Sequence, residues 1–184
     1  MKDLPIIKGK KIYLGPMPET TEFYEIYKSW LNSERVMFGI GEDSDYSLEE
    51  VKEMLDKWRT DPNNYTFCVF DLEFNQPIGD VCIRYGYAKY DNDGPEAAIM
   101  MGRNFGKGKG YAAMLLLLNY AFSQLNYNQV NLSVYENNIA ALKLFEKLGF
   151  RKKSLVKDKI NGRSEYIMTI TKKEWLSKLM VRAS

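Results

Sequence analysis

Hydrophobic positions near the N-terminus follow first the period of a strand and then that of a helix. An extended run from Lys11 to Gly15 predicts the first strand. Between Thr20 and Leu31, apolar residues recur at spacings of three and four, which predicts a helix with one face on a core. The residues of that face are Phe23, Ile26, Tyr27 and Trp30.

A second helix has a recognisable start. Ser47 precedes Leu48-Glu49-Glu50, an arrangement typical of a capping box, and the helix should continue to about Arg59. We expect the segment between the two helices to be mobile.

The pattern then becomes extended for three successive segments. Polar turns separate the runs Tyr65 to Asp71, Ile78 to Tyr85 and Glu96 to Met101. Three consecutive strands of this kind predict an antiparallel meander.

The last third of the chain alternates helices and strands. The residues from Tyr111 to Leu125 are apolar on nearly every face, as in a helix packed inside a protein. A glycine, Gly149, should end a later helix. The remaining predicted elements are a strand at Val130 to Val134, a helix at Ala140 to Leu148, and strands at Arg151 to Val156 and Glu165 to Ile170. No repeat or linker divides the chain, so we expect one α+β domain over residues 1–184.

Composition narrows the classes of function. The chain has 26 basic and 24 acidic residues and a net charge of +2, so no global field favours nucleic acid or an anionic membrane. It contains no histidine, which excludes Ser-His-Asp and Cys-His catalysis and removes the commonest zinc ligand. We expect no metal site.

The cysteines and the N-terminus indicate a compartment. Cys68 and Cys82 lie in apolar, strand-like runs and are expected to be buried and reduced. The N-terminus lacks the apolar core of a signal peptide, and no apolar run is long enough to cross a bilayer. These features favour a cytoplasmic protein.

The segment with the clearest chemistry is a glycine-rich stretch between a predicted strand and the apolar helix. It reads Gly106-Lys107-Gly108-Lys109-Gly110-Tyr111-Ala112-Ala113. Glycines let backbone amides approach a ligand, and the following helix N-terminus favours an anion. Lys107 and Lys109 add positive charge at the edge of this loop, which predicts a phosphate site.

Three kinds of phosphate loop were compared with this stretch. A Walker loop requires Ser or Thr after Gly-Lys, and glycine follows both lysines here. Gly108, Gly110 and Ala113 match a dinucleotide fingerprint, but residues Asn128 to Ser133 contain no acid for the ribose. The third pattern is that of the GNAT acetyltransferases.

Two segments in register resemble that family. Lys107-x-x-Gly110-x-Ala112 resembles the pyrophosphate-binding pattern Gln/Arg-x-x-Gly-x-Gly/Ala, with lysine in place of Gln or Arg. Downstream, the stretch from Asn138 to Phe150 resembles the family's Asn-x-x-Ser/Ala-x-x-Leu-Tyr/Phe-x-Lys-x-Gly-Phe block. The rest of the chain, including a strand at Ile7 to Leu14, is similar to the RimJ/RimL-like branch.

The resemblance implies a fold, a cofactor and a set of contacts. The fold would be a twisted, mostly antiparallel mixed sheet flanked by helices, with splayed fourth and fifth strands, and the cofactor would be acetyl-CoA. Backbone groups of Ile99, Met100 and Met101 would pair with the pantetheine arm like an added strand. The other implied cofactor contacts are Lys107, Gly108, Lys109, Gly110, Tyr111, Ala112, Ala113, Asn138, Ala141 and Phe145; Asn138 could equally be a helix N-cap.

Acetylation of an amine needs a base and a proton for the leaving thiolate. By resemblance, Glu96 would be the base. The family's usual tyrosine and serine hydroxyls are replaced by Phe145 and Ala141. We therefore expect either no dedicated acid, or proton donation by Ser133 or Tyr135.

Two other functions compete with acetyl transfer. The missing hydroxyls are compatible with a non-catalytic acetyl-CoA sensor or interaction module. A nucleic-acid binder is disfavoured by the balanced charge, although basic residues are available at Lys107, Lys109, Arg151, Lys152 and Lys153. The acceptor would be a small-molecule amine or a peptide N-terminus, attracted by acids in the segments Phe38 to Tyr46 and Tyr85 to Gly94, and the family suggests a homodimer.

Overall fold

The computed structural model describes residues 3–86, 94–157 and 162–183. Helices and strands follow one another along the chain in groups of one to three. In order they are β1 (Ile7–Lys8), β2 (Ile12–Gly15), α1 (Thr21–Leu31), α2 (Glu34–Ile40), α3 (Leu48–Thr60), β3 (Asn64–Asp71), β4 (Gln76–Arg84), β5 (Glu96–Met101), α4 (Lys109–Ser123), β6 (Gln129–Tyr135), α5 (Ile139–Leu148), β7 (Arg151–Lys157), β8 (Ser164–Thr171) and α6 (Lys172–Ala183).

The contacts between residues divide the chain into two compact units. The first comprises residues 1–83 and 98–116, and the second comprises residues 84–97 and 117–184. β5 and α4 each begin in one unit and end in the other. The expectation of a single domain stays a prediction.

The first unit contains the strands in the order β1, β2, β3, β4 and β5. β1 and β2 are antiparallel, and β2 pairs with β3 from Ile12 opposite Asp71 to Gly15 opposite Cys68. Helices α1 and α3 place their apolar faces in one core, as the three-and-four spacing predicted for α1. Its buried members are Met17, Phe23, Tyr27, Trp30, Leu31, Val36, Val51, Leu55, Cys68 and Met100.

The second unit contains the beginning of β5, then β6, β8 and β7. β6 pairs antiparallel with β8 from Gln129 opposite Thr171 to Tyr135 opposite Glu165, whereas β5 and β6 run parallel and pair at Glu96 and Asn131. α6 buries Trp175, whose indole N–H donates to Asn119 Oδ1 at 3.0 Å. The fold is thus mixed α/β, with eight mostly antiparallel strands and six helices among the described residues, which confirms the predicted class.

Three local features differ from the sequence-based prediction. The segment expected to be mobile contains α2. The strand expected from Ile7 to Leu14 is divided by a turn, in which the Gly9 amide donates to the Ile12 carbonyl at 2.9 Å. The C-terminal segment forms α6 after β8. Within the described ranges, no helix has the length and apolar character needed to cross a membrane.

Candidate active site

The glycine loop, which we define as residues 102–108, joins β5 to α4 in the first unit. Asn104, Gly106 and Gly108 have φ angles of 59°, 74° and 75°. This left-handed conformation is accessible to glycine without a steric cost and to asparagine at a small one. A Cβ at Gly106 or Gly108 would meet nothing within 4 Å, so backbone conformation is what requires glycine there.

Helix α4 begins directly after this loop. Its first turn closes with the Ala112 amide donating to the Gly108 carbonyl at 3.0 Å. The amides of the preceding turn have no acceptor within the helix and carry the positive end of its dipole. This arrangement suits a phosphate group.

Three predicted cofactor residues meet at the start of α4. A Cβ at Gly110 would lie 3.5 Å from Ile99 Cδ1 and 3.5 Å from Met101 Cγ. Met100, between them on β5, belongs to the buried core. The first turn of α4 therefore packs on the end of β5, and Ala113 is fully buried there, while Tyr111 and Ala112 are partly exposed.

The two lysines of the loop have different surroundings. Lys107 is exposed, as expected. Lys109 is only 8% exposed, and its ammonium forms an ion pair with the buried carboxylate of Asp71. The hydrogen bond from Lys109 holds the pKa of Asp71 below its ordinary value despite burial. The prediction of a positive charge on Lys109 at the loop edge therefore needs correction, because that charge is matched inside the protein.

Two arginines at the loop, Arg103 within it and Arg35 on α2, were missed by the sequence analysis. The Arg103 guanidinium lies 5.7 Å from the centroid of the Trp30 ring, and that of Arg35 lies 3.8 Å from the centroid of Phe105. Arg103 could have been found from the sequence, since Arg103-x-x-Gly106-x-Gly108 also satisfies the Arg-x-x-Gly-x-Gly pattern. No sequence motif pointed to Arg35, because it lies on α2, which is distant from the loop along the chain.

The second unit brings two of the predicted catalytic residues together. Ser133 on β6 donates from Oγ to Glu96 Oε1 on β5 at 3.3 Å. The strands are held at this point by the parallel pair of Glu96 with Asn131, whose amide donates to the Pro95 carbonyl at 2.9 Å. Glu96 itself is partly buried.

Tyr135, the third predicted catalytic residue, lies at the end of β6. It is 5% exposed, and the Arg163 guanidinium lies 3.7 Å from the centroid of its ring. The arginine cation over the Tyr135 ring distinguishes the surroundings of this side chain from those of a tyrosine exposed at the surface.

Asn138 and Phe145 have clear structural roles in α5. The Asn138 side chain caps the helix by accepting from the Ala141 amide at 3.2 Å, as one of its two predicted roles required. Phe145 is buried against Phe150, with ring centroids 5.9 Å apart. Neither Phe145 nor Ala141 carries a hydroxyl that could protonate a thiolate. Contacts of these residues with a cofactor stay predictions.

The predicted residues are therefore divided between the two units. Ile99 to Met101 and Lys107 to Ala113 belong to the first unit, and the remaining six belong to the second. Across the described ranges, no cluster of three or more Cys, Asp or Glu side chains could hold a metal ion.

Comparison with known proteins identifies the family. Residues 11–151 match the acetyltransferase (GNAT) domain. The chain belongs to the GNAT acetyltransferase family. An N-acetyltransferase 9-like protein of Caenorhabditis briggsae is 33% identical over 140 residues, which cover 71% of this chain and 70% of that protein.

Other relatives support this assignment. The α/β-tubulin-N-acetyltransferase 9 of Drosophila melanogaster is 29% identical over 157 residues, covering 78% of this chain and 77% of that protein. In fold, the chain is similar to spermidine N-acetyltransferase from Vibrio cholerae, solved with CoA and spermine. The TM-score is 0.78 and the identity 22%, with 90% of this chain and 98% of that chain covered.

This GNAT protein is an acetyl-CoA-dependent N-acetyltransferase. Its glycine loop fits that cofactor, because the left-handed glycines leave open space beside them and are followed by the N-terminus of a fifteen-residue helix. Backbone amides there would hold the pyrophosphate of coenzyme A.

Proposed function

We propose that this enzyme acetylates a primary amine by direct transfer in a ternary complex, and that the amine belongs to a polypeptide. The observation that carries the chemistry is the hydrogen bond of 3.3 Å between Ser133 Oγ and Glu96 Oε1. It orients a carboxylate at the β5–β6 pair, where a proton can be accepted from an amine.

An amine that arrives as R–NH3+ loses two protons on becoming an amide: one leaves to solvent to give the neutral nucleophile, and Glu96 accepts the other. When bound, acetyl-CoA supplies a thioester, whose carbonyl carbon forms the new C–N bond as its C–S bond breaks. Ser133 fixes the orientation of the Glu96 carboxylate. Because Ala141 and Phe145 provide no hydroxyl, the thiolate takes its proton from Ser133, Tyr135 or solvent; a thiol pKa of about 8.5 makes the thiolate an acceptable leaving group.

The acceptor is selected as a cation. Glu42, Asp43 and Asp45 are exposed between α2 and α3, where their charges attract a protonated amine. Asp91 and Asp93, predicted to assist, lie outside the described residues. This charge is local, since the chain as a whole has a net charge of +2.

The degree of sequence similarity to the relatives favours a polypeptide acceptor over a polyamine. A tubulin acetyltransferase of Drosophila is related in sequence over 78% of this chain, whereas the spermidine enzyme, at 22% identity, supports the fold alone. Three features stay predictions: membership of the RimJ/RimL-like branch, a homodimer and a cytoplasmic location.

The test begins with calorimetric titration of the protein with acetyl-CoA. Thiol release is then measured against tubulin, peptides with free and blocked N-termini, lysine-containing peptides, spermidine and an aminoglycoside. Binding with release that requires a peptide amine supports the proposal. Release with spermidine alone refutes the polypeptide acceptor, and binding without release from any amine favours the sensor alternative.

A further inference from the structure

Asp71, the last residue of β3, joins parts of the chain that are distant in sequence. Its side chain is 1% exposed. Oδ2 accepts from Asn104 Nδ2 at 2.9 Å and forms the ion pair with Lys109, while Oδ1 accepts from the Glu73 amide at 3.0 Å. One buried carboxylate therefore binds two residues that the sequence separates from it by 33 and 38 positions.

Its two side-chain partners lie on either side of the left-handed glycines of the loop. Asn104 precedes Gly106, and Lys109 follows Gly108 as the first residue of α4. Between them the glycines have left-handed φ angles and space for a Cβ around them. Glycine loses more conformational freedom on ordering than any other residue, so this segment depends on restraint at its ends.

The charge distribution indicates how this restraint acts. Lys109 is buried and paired with Asp71, so its ammonium is engaged within the protein. Asp71 is itself an anion and has no attraction for phosphate. Any influence of Asp71 on the cofactor must therefore pass through the conformation of the loop and the start of α4.

We infer that Asp71 is a positioning residue, which holds Asn104 and Lys109 so that the intervening amides are ordered for the pyrophosphate of coenzyme A before it binds. The inference rests on the cofactor site and is independent of which amine is the acceptor. Pre-ordering lowers the entropy lost on binding, so the affinity for the cofactor should depend on Asp71.

The test compares Asp71→Asn with Asn104→Ala. The second variant removes one hydrogen bond to Asp71 and leaves its ion pair with Lys109 intact. The Kd for CoA is measured by calorimetry, and amide hydrogen exchange is followed in residues 102–110. Leu55→Ala is the stability control, because Leu55 is buried in the same unit on α3 and its truncation leaves a cavity in the core.

We expect the Kd for CoA to rise about tenfold in Asp71→Asn and about threefold in Asn104→Ala, with faster exchange confined to the loop. Leu55→Ala should retain the Kd of the wild type. With an active acceptor, the KM for acetyl-CoA should rise while kcat is maintained.

The outcomes separate the two proposals. A wild-type Kd in a folded Asp71→Asn protein, or in Asn104→Ala if the first variant does not fold, overturns the role of Asp71 and leaves the proposed function intact. CoA binding without amine turnover contradicts the proposed acceptor alone. A rise in Kd as large in Leu55→Ala as in the loop variants shows a general stability effect and also overturns the inference.

Discussion

The indole ring of Trp30 lies directly against the backbone of Gly102: a Cβ at that glycine would be 2.0 Å from Trp30 Cδ2. Helix α1 therefore approaches the start of the glycine loop as closely as a residue without a side chain allows. The Gly102 amide also donates to the Ile78 carbonyl at 2.9 Å, which fixes the loop to β4.

Gly102→Ala should consequently destabilise the protein by about 1–3 kcal/mol through overpacking, as measured by urea denaturation. The three atoms nearest to that Cβ all belong to Trp30, so the same change in a Trp30→Ala background should cost much less. Equal costs of Gly102→Ala in both backgrounds would show that the ring is not responsible.

Local sequence signals located most elements of the fold. Ser47 and Glu50 form the capping box expected of them, and Gly149 ends α5 with a φ angle of 103°. These features depend on residues within one turn of each other, so composition and spacing are enough to reveal them. Helix α2 was missed because it has only seven residues and leaves Phe38 and Ile40 exposed, so no apolar periodicity marks it.

The parts of the site that the sequence could not reveal depend on long-range contacts. The glycine loop was found from its own residues, but nothing near Lys109 shows that Asp71 neutralises it. The contact of Arg35 with Phe105 similarly joins α2 to the loop. Such pairs follow from the packing of strands and helices, which a local pattern does not specify.

Glu96→Gln should lower kcat/KM by about 10²–10⁴-fold near neutral pH, because the amide cannot accept the proton of the amine. Activity should recover as pH rises toward the pKa of the acceptor, about 7.7–8.0 for an α-amine, since a larger fraction is already neutral. Initial rates of thiol release from pH 6 to 10 (roughly the range that spans this titration) provide the measurement. Full activity of Glu96→Gln at every pH would show that Glu96 is not the base.

The two cysteines should be unreactive in the folded protein. Cys68 and Cys82 are both buried, and burial, together with the nearby Asp80 charge, raises the pKa of the Cys68 thiol. The thiolate is the reactive species, so Ellman's reagent should detect no protein thiol natively and both in urea. Rapid native labelling would contradict this burial, and Cys68→Ala and Cys82→Ala would identify the residue involved.

Asp71 should make stability depend on acidic pH. Lys109 lowers the pKa of Asp71 below the ordinary 3.8 in the folded state. Above pH 3.8 the ionised carboxylate therefore contributes its full share to the free energy of unfolding. The contribution is lost as pH falls through the lowered pKa. The difference in unfolding free energy between the wild type and Asp71→Asn should therefore be constant above about pH 5 and shrink below pH 3.8. Lys109→Met should weaken this dependence, and a difference that grows toward low pH would contradict the ion pair.

Asn138 allows helix capping to be separated from cofactor binding. Its Oδ1 accepts from the Ala141 amide, and aspartate is an equally good N-cap, so Asn138→Asp should keep the free energy of unfolding nearly unchanged. Asn138→Ala should lose about 1 kcal/mol. The amide nitrogen, which the cap does not use, is absent from aspartate. If that group binds the pantetheine arm, the Kd for CoA must rise in Asn138→Asp although stability is retained. An unchanged Kd in Asn138→Asp would assign Asn138 to the helix cap alone, because the variant differs from the wild type in the donor and its charge while the cap is preserved.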